Sequence, residues 1–228
     1  MRIDVVTAFP EMMQSIFDES ILRQAQGKKI VGFHVWDLRT FTTDKRKSID
    51  DYPYGGGSGM ILKPEPLFRA VDKISEETAK TPEQIILMSP QGELFNHRKA
   101  EDLSHKENLV FLCGHYRGVD ERVVKNLVTQ EISIGNYLLT GGELPAAVVI
   151  DSVVRLIPGV LGDFNSAEGD SIINGVLDYP HYTRPSVYRR MKVPDILLSG
   201  NHKQIEEWRK KQAIKKTKQI RPDLLNND

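Results

Sequence analysis

Apolar and polar residues change rhythm several times along the first two thirds of the chain. Ile3 to Phe9 is an apolar run of strand length. Pro10 to Gln26 spaces its apolar residues three and four apart, as an amphipathic helix does, and Gly27 marks its stop. Ile30 to Leu38 alternates as a strand, and Thr40 to Met60 predicts a long loop. Pro64 to Lys80 predicts a helix with prolines in its opening turn. Three units of one plan follow. Ile85-Ile86-Leu87-Met88 runs into Ser89-Pro90-Gln91-Gly92. Leu109-Val110-Phe111-Leu112-Cys113 runs into Gly114-His115-Tyr116-Arg117-Gly118. Ile132-Ser133-Ile134 runs into Gly135-Asn136-Tyr137-Leu138-Leu139-Thr140-Gly141-Gly142. Each apolar run predicts a buried strand, each loop carries glycine, and a helical pattern follows each, the last from Leu144 to Ile157.

This alternation predicts an α/β domain with a mostly parallel sheet and helices on both faces. In such a sheet the loops at the carboxyl ends of the strands converge on one crevice, where ligands bind. A single glycine loop is explained by an ordinary strand-to-helix turn. Three in succession point to a binding site, because glycine lets main chain approach a ligand closely.

Residues 158–175 break the rhythm, being rich in Gly, Asp, Asn, Ser and Ala with few apolar anchors. Leu177 to Pro185 is aromatic, basic and proline-rich. Val193 to Leu198 predicts a short helix, and Asn201 caps a strongly basic helix to Ile220. The expected division is a catalytic domain over 1–160, a flexible linker over 161–175 and a small all-helical basic domain over 176–228. Charge sharpens this division. Residues 181–228 hold twelve Lys/Arg against five Asp/Glu, a net +7 that offsets a net −7 over residues 1–180. A basic terminal segment on an acidic body fits an anionic partner, nucleic acid above all, although a solvated helix face carries the same signature.

Composition narrows the class further. A chain of 228 residues, 39% hydrophobic and 27% charged, is that of a soluble globular protein. No apolar run approaches the ~18 residues of a membrane span, and the chain opens on a strand without the order of a signal peptide. A cytoplasmic location without membrane association is expected. The one cysteine, Cys113, rules out an internal disulfide and ends an apolar strand, where a small buried hydrophobe suffices. No Cys/His cluster has zinc spacing. Tyr54-Gly55-Gly56-Gly57-Ser58-Gly59-Met60 lacks the Gly-Lys-Ser/Thr ending of a P-loop and the spacing of a dinucleotide fingerprint. So bare a loop still suits a flat ligand or an RNA backbone.

Several segments together resemble the bacterial tRNA (guanine-N1)-methyltransferases, a family of the knotted SPOUT class. They are Pro53-Tyr54-Gly55-Gly56-Gly57, Cys113-Gly114-His115-Tyr116, Asp120-Glu121-Arg122, Ser133-Ile134-Gly135 and Leu139-Thr140-Gly141-Gly142-Glu143-Leu144-Pro145, then Arg155 to Gly162, Asp170-Ser171 and Tyr182-Thr183-Arg184-Pro185. The resemblance spans nearly the whole chain in order and spacing. It implies methyl transfer from S-adenosylmethionine to N1 of the guanine at tRNA position 37, 3′ to the anticodon. It also implies a homodimer with a shared active site and a deep trefoil knot, which periodicity alone would never suggest.

By resemblance, Asp170 is the general base and Arg155 the cation at the guanine O6. The cofactor positions are Leu87, Met88, Ser89, Pro90, Gln91, Gly114, Tyr116, Gly118, Ser133, Ile134, Gly135, Asn136, Tyr137, Leu138, Leu139, Gly141, Gly142 and Pro145. The RNA positions are Ser166, Asp178, His181, Thr183 and Arg184. On its residues alone, Asp170 is a solvated acid in the linker and Arg155 a partner for Asp151, four residues earlier. Two positions depart from the family's pattern. Arg117 stands where Glu is usual, so that contact is replaced, by Glu121 or Glu168, or substrate affinity is altered; Asn136 stands where Asp is commoner. Magnesium is associated with the family, but the sequence shows no dedicated cage. Two other readings are a SPOUT enzyme acting on a different RNA nucleoside and an RNA-binding protein with a decayed centre.

Overall fold

The apolar runs pair into one sheet, in which residues 3–7, 85–88 and 109–113 are buried on both faces. Its strands are β1 (Arg2–Thr7), β2 (Gly32–Asp37), β5 (Gln84–Leu94), β6 (Asn108–Cys113) and β7 (Gln130–Ser133). They lie in the order β2-β1-β6-β5-β7, and every pairing is parallel. Two short antiparallel strands, β3 (Asp50–Asp51) and β4 (Ile61–Leu62), lie after β2. The structure, a computed structural model, describes residues 1–161 and 175–225. It divides into two units, Met1–Gly162 and Asp163–Asp228.

The helices of the first unit are α1 (Pro10–Phe17), α2 (Ser20–Gly27), α3 (Pro64–Thr78), α4 (His97–Ser104), α5 (Glu121–Asn126) and α6 (Glu143–Val154). The two-residue period of the strands sorts them into two layers. Ile86 and Met88 of β5, with Leu109, Phe111 and Cys113 of β6, pack under α1, α2, α4 and α6. Their neighbours Ile85, Leu87, Val110 and Leu112 face the other way, against α3 and α5. The sheet is thus covered on both sides, as the continuous apolar runs required.

Three expectations are corrected. The helix from Pro10 to Gln26 is two helices, because the chain turns at Asp18–Ser20, where Ser20 adopts φ +51°. Ser89-Pro90-Gln91-Gly92 is not a tight loop leading to a helix. It belongs to β5, whose register with β7 shifts between Met88 and Glu93. The local cause is Gly92: a Cβ there would stand 2.5 Å from the main chain of Glu131 and Ile132, so only glycine allows this approach. The C-terminal unit is not all-helical. Val187–Tyr188 pairs antiparallel with Met191–Lys192 across Arg189 and Arg190, at φ +47° and +66°. Two successive positive φ values make a primed hairpin turn, and neither residue carries the usual glycine signal.

The basic helix forms as expected over His202–Ile220, with the Asn201 side chain accepting a hydrogen bond from Gln204 N at 3.2 Å. It buries Ile205, Ala213 and Thr217. The Thr217 hydroxyl accepts from Leu177 N and donates to Ala213 O, both at 2.8 Å, tying the aromatic segment to the helix. Among the described residues no helix is long and apolar enough to cross a membrane.

Candidate functional site

At the carboxyl ends of β5, β6 and β7 the chain leaves a cavity of about 440 Å³. Its wall contains Leu87 to Gln91, Gly114 to Val119 and Ile132 to Gly135. It continues through Tyr137 to Gly142 and Pro145, with Glu121, Val124 and Glu131. All the cofactor positions expected from the sequence line this space except Asn136. Arg117 and Glu121, which the resemblance had set beside the site, line it as well, and the residues not foreseen there are His115, Val119, Val124, Glu131, Ile132 and Thr140. They were missed because their motif neighbours drew attention to glycine rather than to the side chains between.

Five glycines, Gly114, Gly118, Gly135, Gly141 and Gly142, stand in this wall, and packing holds the loops that carry them in place. Gly142 N donates to Gly114 O at 2.8 Å, joining the third loop to the second. A Cβ on Gly142 would stand 2.8 Å from Cys113 Cα and 2.9 Å from Gly114 N. One on Gly141 would meet the Glu143 carboxylate and the His115 ring. Here glycine is required by close approach, not by φ. Beneath this contact lies a polar core that sequence reading did not find: Thr7, at the end of β1, donates from Oγ1 to Glu143 Oε1 at 2.6 Å, and both residues are buried. The bond fixes the start of α6 to the centre of the sheet. Only the tertiary fold brings residues so distant in sequence together.

Two groups are electrostatically marked, Tyr116 on the wall and Cys113 in the core just before it. Burial, followed by the proximity of Glu143, pushes the Cys113 thiol well above its ordinary value, so it stays protonated and inert at neutral pH. Burial and then Asp50 raise the Tyr116 phenol. Tyr116 holds φ +59°, and its ring meets His115 edge-on at 4.8 Å. His115 Nδ1 is buried with no hydrogen-bond partner among the described residues. An orphaned polar nitrogen costs about 1–3 kcal/mol, which a ligand hydroxyl or water would relieve. Glycine-lined main chain, apolar Ile134, Leu139 and Pro145, and a few polar groups suit a nucleoside.

Of the expected catalytic pair only Arg155 lies among the described residues, and it is not part of the cavity wall. Arg155 caps the far end of α6, whose twelve residues span about 18 Å from the cavity-lining turn at its start. Asp170, Glu168 and Ser166 lie outside the described residues. Of the expected RNA positions in the second unit, His181 Nε2 and Asp178 Oδ2 lie 2.6 Å apart. Tyr179 stacks obliquely on His181 with centroids 4.5 Å apart and carries the Arg209 guanidinium 4.9 Å above its ring. Thr183 and Arg184 are exposed beside this cluster in sequence. Among the described residues no three His, Cys, Asp or Glu side chains are placed to hold a metal ion.

A parallel sheet with a glycine-bearing cavity at its carboxyl edge places the chain in the α/β class, with a candidate ligand site where such folds carry one. Comparison with known proteins makes the class particular. The chain matches the family described as tRNA (Guanine-1)-methyltransferase TrmD over residues 1–227. It is 54% identical over 227 residues to the tRNA (guanine-N(1)-)-methyltransferase of Bacillus cereus (strain G9842), covering 100% of this chain and 93% of that one. It is 55% identical over 225 residues to the protein of that name from Bacillus anthracis (strain CDC 684 / NRRL 3495), covering 99% and 92%. The chain belongs to this family and is a methyltransferase.

Proposed function

We propose that the cavity binds S-adenosylmethionine and that the protein transfers its methyl group to N1 of the guanine at position 37 of tRNA, in the cytoplasm. The observation that carries this reading is the cavity itself in a member of this family, formed by two glycine-bearing loops and the bulged end of β5 at the carboxyl ends of adjacent parallel strands. When bound, the donor supplies a methyl carbon already made electrophilic by a sulfonium. The protein's work is therefore alignment, which removes an entropic barrier.

Guanine N1 carries a proton at neutral pH. Asp170 takes that proton as the N1–carbon bond forms and the sulfur–carbon bond breaks, and Arg155 stabilises the charge that builds on O6. Asp170→Asn is expected to lower the single-turnover rate about 10²–10⁴-fold while leaving donor affinity within about twofold. A rate near that of the parent protein would remove Asp170 from its role. Mass spectrometry of tRNA transcripts bearing guanine or adenine at position 37 tests the target itself.

Two observations support a homodimer with a shared site. Arg155 stands one helix length from the cavity of its own chain. Tyr137, Leu138 and Leu139 of the third loop, with Leu144 and Val148 one turn apart on α6, expose apolar surface that a second copy would cover. Mixing Asp170→Asn with Gly142→Ala subunits should then restore activity that neither has alone, and no recovery would sink the shared site. The deep trefoil knot is also proposed. The insertion of β6 between β1 and β5, and the bond from Gly142 to Gly114, support it. Residues 176–228 act as the tRNA-binding domain, joined through 161–175 to the catalytic domain over 1–160, with Asp178, His181, Thr183 and Arg184 near the extruded base.

A further inference from the structure

Arg117 makes a contact that the donor site does not explain. The segment after the glycine loop runs alongside the second cavity loop. Arg117 N donates to Met60 O at 3.1 Å, Leu62 N to Gly118 O at 3.0 Å and Asp120 N to Leu62 O at 3.0 Å. The Arg117 side chain extends this seam beyond the main chain, its Nη1 donating to Ser58 O at 2.8 Å. Its stem lies flat on the loop: a Cβ on Gly59 would stand 3.0 Å from Arg117 Cγ and Cδ, and one on Gly57 would stand 3.0 Å from Nη1.

The loop has little else to hold it. Gly55, Gly56, Gly57 and Gly59 take φ of +82°, +80°, +117° and +89°, and Tyr54 is fully exposed. Glycines lose the most conformational freedom on ordering, so such a segment needs an external tie. Among the described residues no other side chain hydrogen-bonds residues 54–60, and no carboxylate pairs with Arg117.

We propose that Arg117 is a positioning residue for the RNA acceptor: it straps the glycine loop to the second cavity loop, so that residues 55–59 form a preformed rim for the flat purine entering beside the donor. This rests on the function proposed above. A cation gains nothing from facing a sulfonium, and this guanidinium already donates to the rim, so its effect falls on the acceptor.

The test uses the full-length protein as Arg117→Ala, Arg117→Lys and Gly59→Ala. Hydrogen exchange of residues 54–60, measured without RNA or donor, should quicken about tenfold in Arg117→Ala. The KM for tRNA should rise about tenfold, with kcat falling much less. Calorimetry with S-adenosylmethionine should show affinity within about twofold of the parent. Arg117→Lys should recover most of both effects, because its ammonium still offers a donor to Ser58 O. Gly59→Ala, which pushes against the stem of Arg117, should repeat the Arg117→Ala behaviour with the guanidinium present. Unaltered exchange, a KM that does not move, an equal loss in Arg117→Lys, or a defect confined to donor affinity would each overturn the assignment. Failure of the wider reading looks different: the parent protein itself would leave tRNA unmethylated, whereas the exchange measurement reports on the strap regardless.

Discussion

The cavity and the C-terminal unit are built in opposite ways. The cavity is shaped by backbone whose approach to neighbouring backbone is set to tenths of an ångström, and charged groups on its wall are few. The C-terminal unit presents long cationic side chains on a helix that buries only Ile205, Ala213 and Thr217. The first arrangement is stiff and intolerant of a single methyl group. The second is additive, each charge contributing modestly and screened by salt.

Gly142→Ala should break the contrast most sharply. Its Cβ would meet the main chain of Cys113 and Gly114, which cannot swing aside as a side chain can. Donor affinity should fall at least about 100-fold, with a loss of about 1–3 kcal/mol in urea unfolding. Donor binding near that of the parent protein would show that the wall is softer than its geometry implies.

Thr7→Val probes the same wall from behind. It leaves the buried Glu143 carboxylate without its hydrogen bond, so unfolding free energy should drop by about 2 kcal/mol. Donor affinity should fall with it, because α6 begins where the third loop ends. A stability loss without any change in binding would separate the support from the site.

The C-terminal unit should answer differently. Neutralising Lys210, Lys211 or Lys215 singly should reduce the salt dependence of tRNA binding by about one in log–log slope where that residue meets a phosphate, leaving the response to RNA sequence alone. A flat salt response in the parent protein would refute a phosphate-led interface. The smallest effect expected is at Cys113: buried, with its thiol held protonated, it should react with an alkylating reagent only in denaturant. Its raised pKa places any stability it contributes on the neutral side, to be lost as pH rises into the alkaline range. Rapid labelling of the native protein would mean that the loop above it opens readily.

By itself the sequence determined the α/β class, the strands that matter and most of the cavity wall. Short continuous apolar runs rich in β-branched and leucine residues, bounded by glycine, read as strands buried on both faces, and glycines just after them mark where main chain must come close. It could not show that Ser89 to Gly92 stays in β5, because a register shift is decided by the neighbouring strand and not by local propensity. Nor could it show the C-terminal hairpin, whose turn residues are two arginines forced to positive φ. The tertiary structure alone decided that Thr7 reaches Glu143 and that Arg117 reaches Ser58. These are distances between residues far apart in sequence, and no local pattern records them, since burial and packing settle them only once the sheet has closed.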